Sequence, residues 1–74
     1  MQIISIMAVK QLNRIKTVLA EKGKSNLWLA EKLDRNAATV SRWCTNDNQP
    51  SLEMLYQIAM LLDIDIRELL NKTK

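Results

Sequence analysis

The chain has 74 residues, 47% of them apolar, which is enough for one hydrophobic core and too few for two domains. Aromatic residues make up only 4%, with one Gly and one Pro, which disfavours an all-β sandwich and favours an all-α bundle. The charge is uneven: residues 1–46 carry eight Lys or Arg against three Asp or Glu, whereas residues 47–74 carry three against five. The basic part is either a surface for a polyanion or a solvated face.

Residues 1–9 are an apolar extension without a basic n-region or a signal-peptide cleavage pattern. Two interpretations stay open: their β-branched residues predict an extended segment that caps the core or pairs with another chain, or translation starts at Met7 and the first residues are dispensable. No apolar stretch reaches the roughly 20 residues of a membrane span. We therefore expect a cytoplasmic protein with no membrane partner.

Two helices are predicted next. The first covers about residues 10–22, where apolar side chains recur at helical spacing: Leu12, Ile15, Val18, Leu19. Gly23 follows and favours a helix end, since it adopts positive φ without strain. Ser25 or Asn26 then offers a cap to a two-turn helix at 26–34.

A third predicted helix, about residues 37–45, has two contrasting faces. Asn36 offers its cap, and its inward face consists of apolar residues: Val40, Trp43, Cys44. The outward face holds small or hydrogen-bonding side chains and one cation: Ala37, Ala38, Thr39, Ser41, Arg42, Thr45. Two short helices joined by a tight turn predict a helix-turn-helix, whose second helix needs short side chains to approach bases and a long donor to reach them. Arg42 supplies a donor for guanine O6 and N7.

The remaining chain predicts two more helices. Ser51 caps the fourth, whose predicted inner stripe is apolar: Leu52, Leu55, Ile58, Ala59, Leu62. Asp65 with Glu68 forms a capping-box pattern for a fifth that buries Leu69, and residues 71–74 are expected to fray. The predicted fold is one all-α domain over residues 1–74, a compact five-helix bundle with a central helix-turn-helix.

Catalytic and cofactor sites are not predicted. The chain has no His, and its one cysteine, Cys44, is expected to be a small buried hydrophobe. One glycine cannot form a phosphate-binding loop, and neither a zinc nor a calcium spacing is present. We expect no enzyme activity, catalytic residue, cofactor, metal or small-molecule ligand.

Four blocks of sequence carry a family resemblance. They lie at residues 26–33 (NLWLAEKL), 38–43 (ATVSRW), 49–52 (QPSL) and 58–64 (IAMLLDI). In residue types and spacing they resemble the XRE family, the bacterial and phage helix-turn-helix proteins of the lambda-repressor and Cro type. The resemblance implies a lambda-repressor-like fold and a small transcriptional regulator that binds double-stranded DNA. The third helix would lie in the major groove, with a dimer on a two-fold symmetric operator.

The resemblance also implies site residues. It places base-reading side chains on the third helix: Ala37, Ala38, Thr39, Ser41, Arg42. It places contacts to phosphates around that helix, some of them through main-chain donors: Lys24, Asn26, Arg35, Asn36, Thr45, Asn46, Asn48, Gln49. For Asn26 and Asn36, a helix-capping role is equally compatible with the sequence.

Two departures from the family pattern stand out. Asp34 occupies the turn where relatives usually have Gly, and Asp tolerates the left-handed conformation less well. Leu19 and Cys44 stand where many relatives have Arg and Glu, so an apolar pair replaces an ion pair.

Apolar side chains near the C-terminus exceed what five short helices can bury, and they predict a dimer patch: Met54, Leu61, Ile66, Leu70. A second function uses the same surface. The chain would then be a protein-interaction module, antitoxin-like or otherwise partner-binding, whose apolar and acidic surface on the fourth and fifth helices binds another protein.

Overall fold

The computed structural model describes residues 11–74, so the predictions for residues 1–9 lie outside the described residues. Its elements in chain order are α1 (Ile15–Glu21), α2 (Asn26–Leu33), α3 (Ala37–Cys44), α4 (Leu52–Leu62) and a 3-10 turn (Ile66–Leu69). The all-α class is confirmed. The fifth helix is wrong, because that segment forms only the 3-10 turn. Within residues 11–74, no helix has the length and apolar character needed to cross a bilayer.

The last segment leaves the helical path because the two chain ends pair. Asp65 caps the turn by accepting from the Arg67 N–H at 2.8 Å, and Leu69 is fully buried. Leu70 is then extended and forms an isolated antiparallel bridge with Asn13. The Asn71 side chain donates to the Gln11 carbonyl at 2.6 Å, so the predicted fraying does not include Asn71.

The first helix begins at Ile15, later than predicted. Asn13 is buried, and its Oδ1 accepts from the Ile15 N–H at 3.0 Å, which satisfies one free donor at the helix start. Leu12 lies outside the helix and is 50% exposed, so its predicted place in the inner stripe is wrong.

The core contains residues from all five elements, and at the start of α4 a different residue is buried from the one predicted. Val40, Trp43 and Cys44 are buried as predicted. On α4, however, Leu52 is 74% exposed and Met54 is 5% exposed. Met54 therefore belongs to the core and not to the predicted dimer patch.

Each α-helix is followed by a residue with positive φ. These residues are Gly23, Asp34, Asn46 and Asp63, with φ of 68°, 54°, 65° and 56°. In this conformation the next N–H groups return to the helix carbonyls; Arg35, for example, donates to Ala30 at 2.9 Å. Asp34 therefore makes the turn that the family usually makes with Gly, against the steric cost of a Cβ.

We expect Asp34→Gly to raise the free energy of unfolding. Removing the Cβ relieves the left-handed strain, and the greater freedom of the unfolded chain offsets part of that gain, leaving about 0.5 to 1 kcal/mol. The midpoint of thermal unfolding should shift upward by roughly 2 to 8 °C. Asp47→Gly is the matched control, because Asp47 is not among the positive-φ residues. Equal losses of stability in both variants would contradict the strain at Asp34.

Candidate nucleic-acid interface

The central unit consists of α2, the turn at Asp34 and α3. Ser25 caps α2 by accepting from the Trp28 N–H at 3.1 Å, and Asn36 caps α3 by accepting from the Ala38 N–H at 2.7 Å. Leu29 of α2 and Val40 of α3 are fully buried in the common core. Both helices are therefore fixed by caps at their starts and by packing along one side, which leaves the other side of α3 outward.

That outward side of α3 matches the predicted base-reading face. Four of the five predicted side chains are exposed and Thr39 is half-buried: Ala37, Ala38, Thr39, Ser41, Arg42. The helix contains no acidic residue. Small side chains at its start allow close approach of the backbone to another surface, and Arg42 adds the long donor one turn later.

Most of the described Lys and Arg residues up to Arg42 have no carboxylate partner. In residues 11–74, ion pairs within 4.0 Å join Arg14 to Glu21 and Arg67 to Asp65. The other described Lys and Arg residues up to Arg42 have no such partner there: Lys16, Lys22, Lys24, Lys32, Arg35, Arg42. The Lys24 ammonium lies 4.8 Å from the centre of the Trp28 ring, which holds it beside the start of α2. An anion would find these charges uncompensated.

Two asparagine amides present donors at helix starts. The Oδ1 of Asn36 accepts from the Ala38 N–H, and the Oδ1 of Asn26 accepts from the Cys44 thiol at 3.2 Å. The Nδ2 of each has no acceptor among the described residues. Since phosphate oxygens only accept hydrogen bonds, these amides have the required open donors. Arg35 and Asn48 are likewise exposed.

Three other predicted phosphate contacts have side-chain donors that are already used. Thr45 donates its hydroxyl to the Arg42 carbonyl at 3.2 Å. The Asn46 amide donates to Gln11 and to the Asn13 carbonyl, and the Gln49 amide donates to Asn46 Oδ1 at 3.1 Å.

The main-chain donors of this loop are also engaged. The N–H groups of Asn46, Asp47 and Asn48 donate to carbonyls at the end of α3, at 3.1, 2.9 and 3.3 Å. Main-chain donation from these three residues to phosphates would compete with the hydrogen bonds that close the helix.

Asn13 organises this region and was missed from the sequence. Its Nδ2 donates to the Trp43 carbonyl at 2.9 Å and to Gln49 Oε1 at 2.8 Å. Among the described residues, Asn13 is the one polar residue that is buried, with 3% of its surface exposed. It joins the start of α1 to the end of α3. No signal in the sequence indicated this role, because in a helix that includes Leu12 and Ile15 the Asn13 side chain lies on the side opposite the apolar stripe.

Cys44 lies next to this interface as a protonated thiol. Burial raises its pKa above the ordinary value, and the nearby Lys16 charge opposes part of that rise. The folded protein therefore binds the thiol proton more tightly than the unfolded chain does.

This pKa shift predicts a pH dependence of stability. The contribution of the Cys44 proton to the free energy of unfolding should be complete below the ordinary thiol pKa of about 8.5. It should be lost as the pH rises through the folded-state pKa. Over that pH range, we expect the free energy of unfolding of wild type to fall relative to that of Cys44→Ser. Urea unfolding of both proteins under reducing conditions measures the difference. A constant difference between the two proteins across that range would contradict the shift.

In residues 11–74, no group of three or more His, Cys, Asp or Glu is placed to hold a metal ion.

Comparisons with known proteins address the family and the fold. A family model described as helix-turn-helix matches residues 15–69. The crystal structure of a Bacteroides fragilis protein, provisionally described as DNA-binding, is similar with a TM-score of 0.80 and 57% sequence identity. The match covers 81% of this chain and 97% of that one. A search of curated proteins finds no match.

Proposed function

The chain belongs to the helix-turn-helix family of the XRE type, and we propose that it is a cytoplasmic transcriptional regulator that binds double-stranded DNA at specific sequences. In this proposal α3 lies in the major groove and the protein acts without catalysis or a cofactor. The similarity to the Bacteroides fragilis protein supports DNA as the partner.

One observation carries the proposal: α3 exposes small side chains and Arg42 on a face without acids. The major groove admits an α-helix, and short side chains at its start allow close approach to the base edges. Arg42 donates two hydrogen bonds to guanine O6 and N7, while Thr39 and the alanine methyl groups contact thymine methyls or neighbouring base edges. Ser41 completes this base-reading set.

Phosphate contacts would orient the domain on the duplex. The open amide donors of Asn26, Asn36 and Asn48, with the charges of Lys24 and Arg35, are the groups that we assign to them. Only the two cations release counterions, so they govern the salt dependence of affinity.

We also propose a homodimer on a two-fold symmetric operator. Leu61 and Leu70 are 38% and 43% exposed, and Ile66 is half-buried; these three form the remaining candidate patch. Sedimentation equilibrium should show a dimer for wild type and a monomer for Leu61→Lys with Leu70→Lys. A wild-type monomer at micromolar concentrations, on DNA as well as free, would contradict this dimer.

A second function, partner binding, is favoured by a different surface of α4. Leu52, Tyr56 and Met60 recur every fourth residue, and they are 74%, 59% and 64% exposed. This apolar stripe would bind another protein independently of DNA. Capture of the same partner by wild type and by Arg42→Ala, with DNA removed by nuclease, would support this function.

Selection of duplexes from a random-sequence pool tests the proposal. We expect wild type to enrich a motif with two half-sites about one DNA turn apart. Leu61→Lys with Leu70→Lys, run in parallel, should enrich single half-sites weakly. Absence of any enriched motif, with only salt-sensitive binding, would contradict sequence-specific regulation.

A further inference from the structure

The Cys44 thiol makes a side-chain contact that hydrophobic packing does not require. Its Sγ lies 3.2 Å from Oδ1 of Asn26, between the last residue of α3 and the first of α2. Cys44 is 6% exposed, whereas Asn26 is only half-buried. The contact therefore joins a buried donor to an amide at the protein surface.

This hydrogen bond determines which end of the amide faces outward. Because a thiol hydrogen donates and the Asn26 oxygen accepts, Oδ1 is directed toward the core and Nδ2 away from it. The reversed amide would direct Nδ2 at the sulfur, a weak acceptor, and would take Oδ1 away from the thiol proton, so the thiol favours the orientation with Oδ1 inward. The raised pKa of Cys44 keeps that proton in place at neutral pH.

The outward Nδ2 lies where an anion is favoured. Asn26 begins α2, whose first N–H groups carry partial positive charge. Lys24 is held beside the same helix start over the Trp28 ring, and the charge of Lys16 acts on Cys44 itself.

We propose that Cys44 is a positioning residue for DNA binding: its thiol holds the Asn26 amide with Nδ2 directed at a backbone phosphate. This inference rests on the proposed function. Cys44 acts only by holding Asn26 and does not itself contact DNA. Because the amide is already held in the free protein, it loses less side-chain conformational entropy on binding than a mobile amide would.

A double-mutant cycle on duplex affinity tests the role. Cys44→Ala should weaken binding about 3- to 10-fold, the range of one neutral hydrogen bond. Asn26→Ala should weaken binding to a similar degree, and adding Cys44→Ala to it should have no further effect. Cys44→Ser keeps a donor of similar reach and should restore affinity to within about twofold of wild type. Affinity is measured below the unfolding transition of each variant, as established by circular dichroism.

The salt dependence separates the loss of a neutral contact from the loss of a charge contact. Because the amide is neutral, Cys44→Ala and Asn26→Ala should leave the slope of log affinity against log salt unchanged, whereas Lys24→Ala should reduce it.

Three outcomes decide the matter. Coupling of the two sites with rescue by serine supports the inference. If wild type binds the duplex but Cys44→Ala lowers affinity equally in wild type and in Asn26→Ala, the inference is overturned and the proposed function stands. The same holds if Cys44→Ala lowers affinity in neither. Absence of duplex binding by wild type, even at about 50 mM salt where non-specific contacts are strong, overturns both.

Discussion

Arg42→Ala is expected to weaken binding to the selected duplex by about 1 to 3 kcal/mol, roughly 5- to 150-fold. Arg42 is exposed on α3 and has no ion pair in the described chain, so its removal leaves the fold intact. The loss comes from the guanine acceptors that would remain unpaired in the complex. Repeating the random-pool selection with the variant should relax the preference at one base pair in each half-site.

The matched control for this prediction is Arg67→Ala. Arg67 is also exposed, but it lies on the 3-10 turn and pairs with Asp65 at 3.0 Å. We expect its affinity to stay within about twofold of wild type, since it is outside the assigned interface. Equal effects of the two substitutions, or a uniform loss by Arg42→Ala across all sequences, would show that Arg42 contributes charge without reading a base.

Asn13→Ala is expected to lower the free energy of unfolding by about 2 to 4 kcal/mol, because it leaves buried polar groups without partners. The side chain donates to Trp43 and Gln49 and accepts from Ile15, with all three distances between 2.8 and 3.0 Å. Urea unfolding followed by tryptophan fluorescence measures the loss.

Asn48→Ala is the control for this substitution. Asn48 is exposed and its side chain has no hydrogen-bond partner in residues 11–74, so its stability should change by no more than about 0.5 kcal/mol. Asn13→Asp keeps the acceptor for the Ile15 N–H and loses the two donors, which should give an unfolding free energy below that of wild type. An Asn13→Ala variant as stable as Asn48→Ala would contradict the buried network.

Local patterns predicted the elements whose determinants are local. Asn36 and Ser51 cap their helices as predicted, and of the two predicted candidates Ser25 and Asn26 it is Ser25 that caps α2, since each cap needs only an oxygen one turn from free N–H groups. The inward face of α3 followed from its periodicity. Leu12 was misplaced because the start of α1 is set by the bridge between Asn13 and Leu70, which are distant in sequence.

In the candidate site, too, features set by local sequence could be predicted and features set by distant contacts could not. The exposed face of α3 could be predicted because exposure follows from helical phase. The state of each donor could not, since it depends on contacts such as that of Asn46 with Leu12 and Asn13, 34 and 33 residues apart. Thr45, Asn46 and Gln49 look like free polar groups in the sequence, and only the fold shows that their side-chain donors are occupied.

The most direct test of DNA recognition by α3 is a map of backbone amide shifts in nuclear magnetic resonance spectra as a duplex is added. The duplex needs about 20 base pairs, to hold two half-sites one turn apart. We expect the largest changes at residues 24–26 and 35–42. Changes confined to the stripe of Leu52, Tyr56 and Met60, with α3 unaffected, would contradict recognition by α3.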